Sequence, residues 1–284
     1  MYYMVTKRKY RKIGRNFVNK LRLKTHPLAI KLLEPGEKPP IFAPMFDEIF
    51  DQKDMASSLM FTHFRRLDAS VTIRKENISD KTASLNLGFE KLTNKDAFYK
   101  TMEASGGFKR DANAEKKSFE ATPCFEPAMY ESMVISPLPL TFVTPDVVLV
   151  FGQPVALSLL ILAATYDGTN IESSFYGTAS VISEGIVRAM QTNKCQVINP
   201  SPDERAVAAI QDDEMVFAIP GSLLSMVDKN LLKAGNILAR PGRSPFSFPY
   251  ATPNWGNIKI KGKTPAPELW HQLNQIILQN REVR

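Results

Sequence analysis

The run Pro145-Asp146-Val147-Val148-Leu149-Val150-Phe151 constrains the chain more than any other stretch. It is apolar, of strand length and rich in β-branched residues, and Gly152-Gln153-Pro154 breaks it, so it predicts a buried strand and a sharp turn. From Pro154 the apolar residues continue through Val155, Leu157, Leu159, Leu160, Ile161 and Leu162 to Tyr166, where Asp167-Gly168 supplies a stop. Proline at the first helical position and glycine past the last one predict a helix between them. A stretch of small residues, Ser173 to Ser180, then leads into Val181 to Met190, which reads as helical. The segment closes with Arg205 to Ile210 and Met215 to Ile219, separated by Gln211-Asp212-Asp213-Glu214, a pattern that predicts a hairpin.

The rest of the chain alternates in the same way. Thr25 to Leu33 reads as a turn into a short strand, ended by Glu34-Pro35-Gly36-Glu37. Apolar spacing through Met55, Leu59 and Met60 predicts a helix from about Asp51 to Arg65, and Ser70-Val71-Thr72-Ile73-Arg74 predicts a strand. In Leu85-Asn86-Leu87-Gly88-Phe89, Gly88 marks a backbone shape that other residues resist. Residues 93–104 read as a capped helix stopped by Ser105-Gly106-Gly107, and 109–118 as an exposed helix or a mobile connection. Four prolines between Thr122 and Pro139 predict an extended crossing over the surface. Leu223 to Ala234 has helical spacing, residues 240–255 read as a long irregular loop, and Trp270, Leu273, Ile276, Ile277 and Leu278 share one side of a final helix. These elements predict an α+β fold, a mixed sheet with packed helices. The chain divides as a basic arm over 1–24, a main domain over 25–235, and a loop with a C-terminal helix over 236–284.

Charge sharpens that division. Residues 1–24 hold nine Lys or Arg and no acid, and taking nine from the total of 36 leaves 27 basic against 29 acidic side chains, about −2 for the remainder. The basic character therefore belongs to the arm. Its residues Lys7, Arg8, Lys9, Arg11, Lys12 and Arg15 are candidates for contact with a protein partner, an anionic surface or nucleic acid, against the simpler reading of a solvated tail or first helix. Interleaved Tyr2, Tyr3, Tyr10 and Phe17 suit base stacking but form no single-strand-binding motif. No signal peptide is expected, because no long apolar run follows the charges. Val155 to Ala164 is about half the length a bilayer needs, so no transmembrane segment is expected either. Two distant cysteines, Cys124 and Cys195, make no disulfide framework or zinc spacing, and a reducing cytoplasm is the expected setting.

No catalytic signature is present, so neither an enzyme class nor a cofactor follows from motifs. His26, His63 and His271 are scattered and lack metal-ligand spacing. Asp212-Asp213-Glu214 has the oxygen donors for a hard cation, but a polar turn is the simpler reading. Ser183-Glu184-Gly185 lacks the strand and histidine context of a hydrolase. The most informative local feature is Gly177-Thr178-Ala179-Ser180 ahead of a helix, where small residues let backbone amides approach a ligand and the helix start favours an anion. It has no P-loop lysine, so a tight strand-to-helix crossing is the alternative. The reading taken here is that Gly177, Thr178 and Ser180, with Gly88 and Phe89, line one pocket for a small molecule. Lys31, in a strand whose neighbours Ile30 and Leu32 face the other way, is the candidate ammonium for it.

The ordered set Pro27-Leu28-Ala29-Ile30-Lys31-Leu32, Leu85-Asn86-Leu87-Gly88-Phe89 and Pro145 to Pro154 resembles the family known as domain of unknown function 169 (DUF169). Gly177-Thr178-Ala179-Ser180 and Asp212-Asp213-Glu214-Met215-Val216-Phe217-Ala218-Ile219-Pro220 fit the same pattern, and the resemblance covers roughly residues 22–235. It implies a source among archaea or anaerobic bacteria and carries no established activity. It also implies a cysteine near Met55, another several residues before the Leu-Gly-Phe turn, and a third after the small-residue loop. Here those places read Asp54-Met55-Ala56-Ser57, Ser79-Asp80-Lys81-Thr82 and Ser180-Val181-Ile182, which offer no thiolate. Two functions follow as expectations: a small-molecule or cofactor-binding protein using the small-residue loops, or a non-catalytic accessory subunit that docks through its basic arm and Pro-rich loops.

Overall fold

Apolar runs long enough for a strand become the sheet, and its interior strands are buried on both faces. The computed structural model describes residues 2–106, 108–178 and 180–234. The strands are β1 (Leu28–Leu33), β2 (Val71–Arg74), β3 (Ser132–Pro137), β4 (Val147–Gly152), β5 (Gln196–Ile198) and β6 (Met215–Pro220). They form one sheet in the order β2-β3-β1-β4-β6-β5 with every neighbour antiparallel. The α+β expectation holds. β3 and β4 are buried at every position, which explains why neither shows the polar alternation of a one-sided strand.

Side chains alternate across the sheet and so divide into two packing layers. Leu28, Ile30 and Leu32 of β1, Met133 and Ile135 of β3, and Val147, Leu149 and Phe151 of β4 share a core with Phe61 and Phe64, Ala83 and Leu87, and Val181 and Ile182. The helices Ser57–Phe64 and Lys81–Asn86 and the wide π-turn Val181–Val187, which continues as Arg188–Thr192, thus cover this first face. On the second face the helix Pro154–Ala164 lies on β4 and β6, and Leu224–Leu231 packs against that helix. Each large side chain buried in this way contributes about 2 kcal/mol.

The basic N-terminal segment is the helix Tyr2–Leu21. It buries Tyr10, Ile13, Phe17 and Leu21, packs on Leu224–Leu231, and directs Asn16 Nδ2 to Asp228 Oδ1 at 3.1 Å. Gly14 makes the close approach feasible, since a Cβ there would stand 2.5 Å from the Pro139 nitrogen.

Three expectations are corrected. Arg205 to Ile210 is not a hairpin strand: Pro202–Ala208 is a helix, and β6 pairs with β4 and β5 instead. A capping box decides this, with Ser201 N and Oγ donating to Glu204 Oε2 at 2.8 and 2.9 Å, and Pro202 at the first turn. The stretch from Thr122 to Pro139 does not run over the surface throughout, because Ser132–Pro137 is an interior strand whose proline falls at its last residue. The helix expected from Asp51 starts only at Ser57. The loop expected over 240–255, the final helix and the 236–284 segment lie outside the described residues.

Candidate functional site

Two short helices fold over the end of Lys81–Asn86 and line a small, partly open cavity. Lys95–Gly106 brings Phe98, Tyr99 and Met102, and Ala112–Ala121 brings Glu115, Ser118 and Phe119, with the Asp111 carboxylate accepting from Ala114 N at 2.8 Å as N-cap. Phe98 and Phe119 meet edge to face at 5.0 Å between centroids, and Tyr99 stands 6.1 Å from Phe119. With Asn86 and Thr178 they line a cavity of about 20 Å³. Asn86 is 0% exposed, and neither its Oδ1 nor its Nδ2 has a hydrogen-bond partner among the described residues. The Oε1 of Glu115, a residue 5% exposed, is likewise unpaired. Each unmatched buried group costs about 1–3 kcal/mol.

Tyr99 and Phe119 also form part of an open groove of about 360 Å³, with Leu85, Leu92, Phe125 and Pro127 as its apolar lining and Glu90, Lys91, Lys95, Glu120 and Glu126 as its charged residues. Burial, followed by the charges of Glu120 and Asp96, raises the Tyr99 hydroxyl above its ordinary range, so it stays protonated. The loop between the helices is tied down where Lys109 Nζ donates to the Tyr176 carbonyl at 2.6 Å.

Next to the cavity, buried carboxylates receive the backbone N–H groups of several chain turns. Asp80 accepts from Ser57 N at 2.8 Å and from Ser57 Oγ at 2.6 Å. Glu204 accepts from Val181 N at 2.8 Å, and Glu184 from Tyr176 N. Burial pushes Glu184 up to about 7, with Glu204 adding to the rise and the Tyr176 N–H, Arg188 and Ser180 opposing it. Burial raises Asp80 and Glu204 as well. The segments around Ser57, Asp80 and Ser180 thus come together. They supply no thiolate, and among the described residues no group of three or more His, Cys, Asp or Glu side chains is placed to hold a metal ion.

The six residues proposed for a pocket divide. Thr178 lines the cavity together with Asn86, two residues before Gly88. Gly88 has φ +71°, and a Cβ there would stand 2.6 Å from the Glu126 carbonyl, so it shapes the turn from behind. Phe89 belongs to a different hollow of about 440 Å³ beside Arg74 and Tyr130. Gly177 is exposed with φ +83°, and Ser180 is buried at the head of the π-turn. Lys31 lies on the opposite face of the sheet, where its Nζ pairs with Asp146 at 3.4 Å.

Among the basic residues, Arg8, Lys9, Lys12 and Arg15 are exposed, and Arg11 lies over the Phe142 ring at 4.5 Å. Lys7 belongs to the same helix. Asp212-Asp213-Glu214 does not converge on a cation. Asp212 is exposed, Asp213 accepts from Gln153 Nε2, and both oxygens of Glu214 face the two terminal nitrogens of buried Arg65 at 2.9 Å.

Sequence reasoning missed Asn86, Glu115, Glu184 and Glu204 as candidates. A helical projection places Glu115 on the face of Phe119 four residues on, and Glu184 interrupts the apolar run Val181 to Val187, so both signals were there to read.

A model of the family DUF169, described as uncharacterised ArCR, matches residues 16–230. No curated protein and no solved structure matches the chain.

Proposed function

The chain belongs to the DUF169 family, and on that premise we propose that it binds a small molecule at the cavity between Lys81–Asn86 and the two helices that follow. The observation that carries this is Asn86: wholly buried, with both amide atoms unmatched, in the wall of the same cavity as Glu115, whose Oε1 is also unmatched. Buried polar groups in native proteins are almost always paired, so two unmatched atoms on one wholly buried side chain call for a partner. Thr178 brings the small-residue loop to the same wall.

The test is native mass spectrometry beside denaturing mass spectrometry, on untagged full-length protein purified from its own host. A bound mass that disappears in Asn86→Leu, with the fold retained, is the expected result. A native mass equal to the polypeptide alone, or a bound mass unchanged by Asn86→Leu, would remove the cavity as the site.

A second reading, an accessory subunit, is favoured by a different observation. Arg8, Lys12 and Arg15 share the exposed face of the first helix, and Arg11 adjoins the half-exposed aromatic pair Phe42 and Phe142. Such a surface suits an acidic protein partner. Co-purification that is lost in the charge reversal Arg8→Glu/Lys12→Glu/Arg15→Glu supports it, whereas a lone monomer at all concentrations argues against it. Nucleic acid is the remaining candidate for this face, and only a strongly salt-dependent affinity abolished by the same reversal would favour it. No described helix is long and apolar enough to cross a membrane. Two free cysteines, Cys124 exposed and Cys195 buried, support a cytoplasmic setting.

A further inference from the structure

The inner cavity and the groove outside it differ in chemistry, and together they describe one kind of ligand. The cavity, at about 20 Å³, has room for a group the size of one water or one ammonium. Its polar wall holds the Glu115 carboxylate and the Asn86 amide, and no Lys, Arg or His is among the described residues lining it. The rest of the wall is Phe98, Tyr99 and Phe119, packed at centroid distances of 5.0 to 6.1 Å, with Met102 and the hydroxyl-bearing Thr82, Ser118, Thr122 and Thr178. Aromatic rings attract cations through their quadrupole, and a buried carboxylate beside them strengthens that preference. An anion has no counter-charge here. A neutral hydroxyl satisfies Asn86 but leaves the carboxylate without a positive partner.

The groove adjoins this chamber, with Tyr99 and Phe119 bordering both. Its apolar surface comes from Leu85, Leu92, Phe125 and Pro127, and its volume of about 360 Å³ suits the body of a small molecule.

We propose that the ligand is a primary amine with an apolar body, its ammonium seated between Glu115 and Asn86 and its hydrocarbon part lying along the groove. The proposal rests on the reading of the Asn86 cavity as the ligand site. It assigns Glu115 the role of counter-ion and the three rings that of a cage sized for –NH₃⁺. A quaternary ammonium is too bulky for that space.

Titration calorimetry of the full-length protein at neutral pH with n-hexylamine, 1-hexanol, hexanoate and hexyltrimethylammonium tests this directly. Hexylamine is expected to bind about tenfold or more tightly than hexanol, with hexanoate and the quaternary salt weaker still, because hydrogen bonds to charged groups are the stronger kind. In Glu115→Gln the amine is expected to fall to the level of the alcohol, while the alcohol is unchanged. Hexanol or hexanoate matching hexylamine overturns the amine assignment, and so does Glu115→Gln that leaves the amine's advantage intact. Failure of all four probes to bind also overturns it, while the mass of the native ligand and its loss in Asn86→Leu judge the cavity separately. The wild-type series needs no variant, so it decides the question even if Glu115→Gln does not fold.

Discussion

Two sets of buried polar side chains lie on the same side of the sheet, and the protein treats them in opposite ways. Arg65, 0% exposed, offers both terminal nitrogens to both oxygens of Glu214, keeps its Nε unmatched among the described residues, and lies over the Phe151 ring at 4.6 Å. Burial by itself would raise Glu214, but the Arg65 hydrogen bonds and charge outweigh it and hold the carboxyl below its ordinary range. Asn86, 0% exposed, has neither amide atom matched among the described residues, and Glu115, 5% exposed, has its Oε1 unmatched. Burial alone does not separate a structural polar group from a binding one. What separates them is whether the protein supplies the partner.

Breaking the matched pair is expected to have the largest effect. Arg65→Leu leaves a buried carboxylate without its partner and should cost about 3–5 kcal/mol in chemical denaturation. The double variant Arg65→Leu/Glu214→Leu should recover most of that loss. A single-variant cost below about 1 kcal/mol would mean that solvent reaches Glu214 and that the pair is not a buried one.

Gly88→Ala comes next. It forces a left-handed backbone on a residue with a Cβ and places that Cβ against the Glu126 carbonyl, for about 2–3 kcal/mol. The turn it shapes bonds Phe125 N to the Asn86 carbonyl at 2.9 Å, so ligand affinity should fall with it. Affinity that survives the substitution would show that Asn86 does not depend on that turn.

Glu184 tests the same contrast through pH. Its folded-state pKa is raised to about 7 from 4.5, so its protonated form favours the folded state. That stability is fully present below the unfolded value and is lost as pH rises from 4.5 through 7. Glu184→Gln should remove this slope and stabilise the protein at pH 8 by about 2 kcal/mol. Asp80 and Glu204 are raised too and keep their own slopes in the same sense. A pH profile identical to wild type would place Glu184 in contact with water.

The smallest effect is expected at the unmatched set. Asn86→Leu removes two unpaired polar atoms at nearly constant volume, so the substitution should cost no stability and be neutral or stabilising. Paired with the Arg65 result, this is the sharpest form of the comparison: similar burial, with a several-fold difference in cost. A loss of 3 kcal/mol or more, about the cost of breaking a buried network, would show that Asn86 is held by partners after all.

The centre of the fold was legible because its strands are uninterrupted apolar runs, and Val147 to Phe151 can be little else. The helix Pro154–Ala164 was legible from its proline and its glycine stop. Pro202–Ala208 was misread because Ala206-Val207-Ala208-Ala209 is apolar enough to pass for a strand, although Ser201-Pro202-Asp203-Glu204 spells a helix start. Of the cavity, the small-residue loop points to Thr178, while in Leu85-Asn86-Leu87-Gly88-Phe89 the glycine carries the local signal and Asn86 does not. Glu115 shares a helix face with Phe119, but its burial comes from tertiary packing of Ala112–Ala121.

The antiparallel order of the sheet has a consequence for how the chain is made. β1 is the third strand in from one edge and lies between β3 and β4, pairing Leu28 with Pro137 on one side and with Leu149 on the other. A ribosome adding about 10 residues per second releases β1 roughly 10 s before either neighbour exists. During that interval the most apolar part of the N-terminal third has no sheet to enter. Contacts this distant in sequence also close slowly, on the millisecond-to-second scale. Pairing at the centre therefore comes late, after β3 and β4 have emerged.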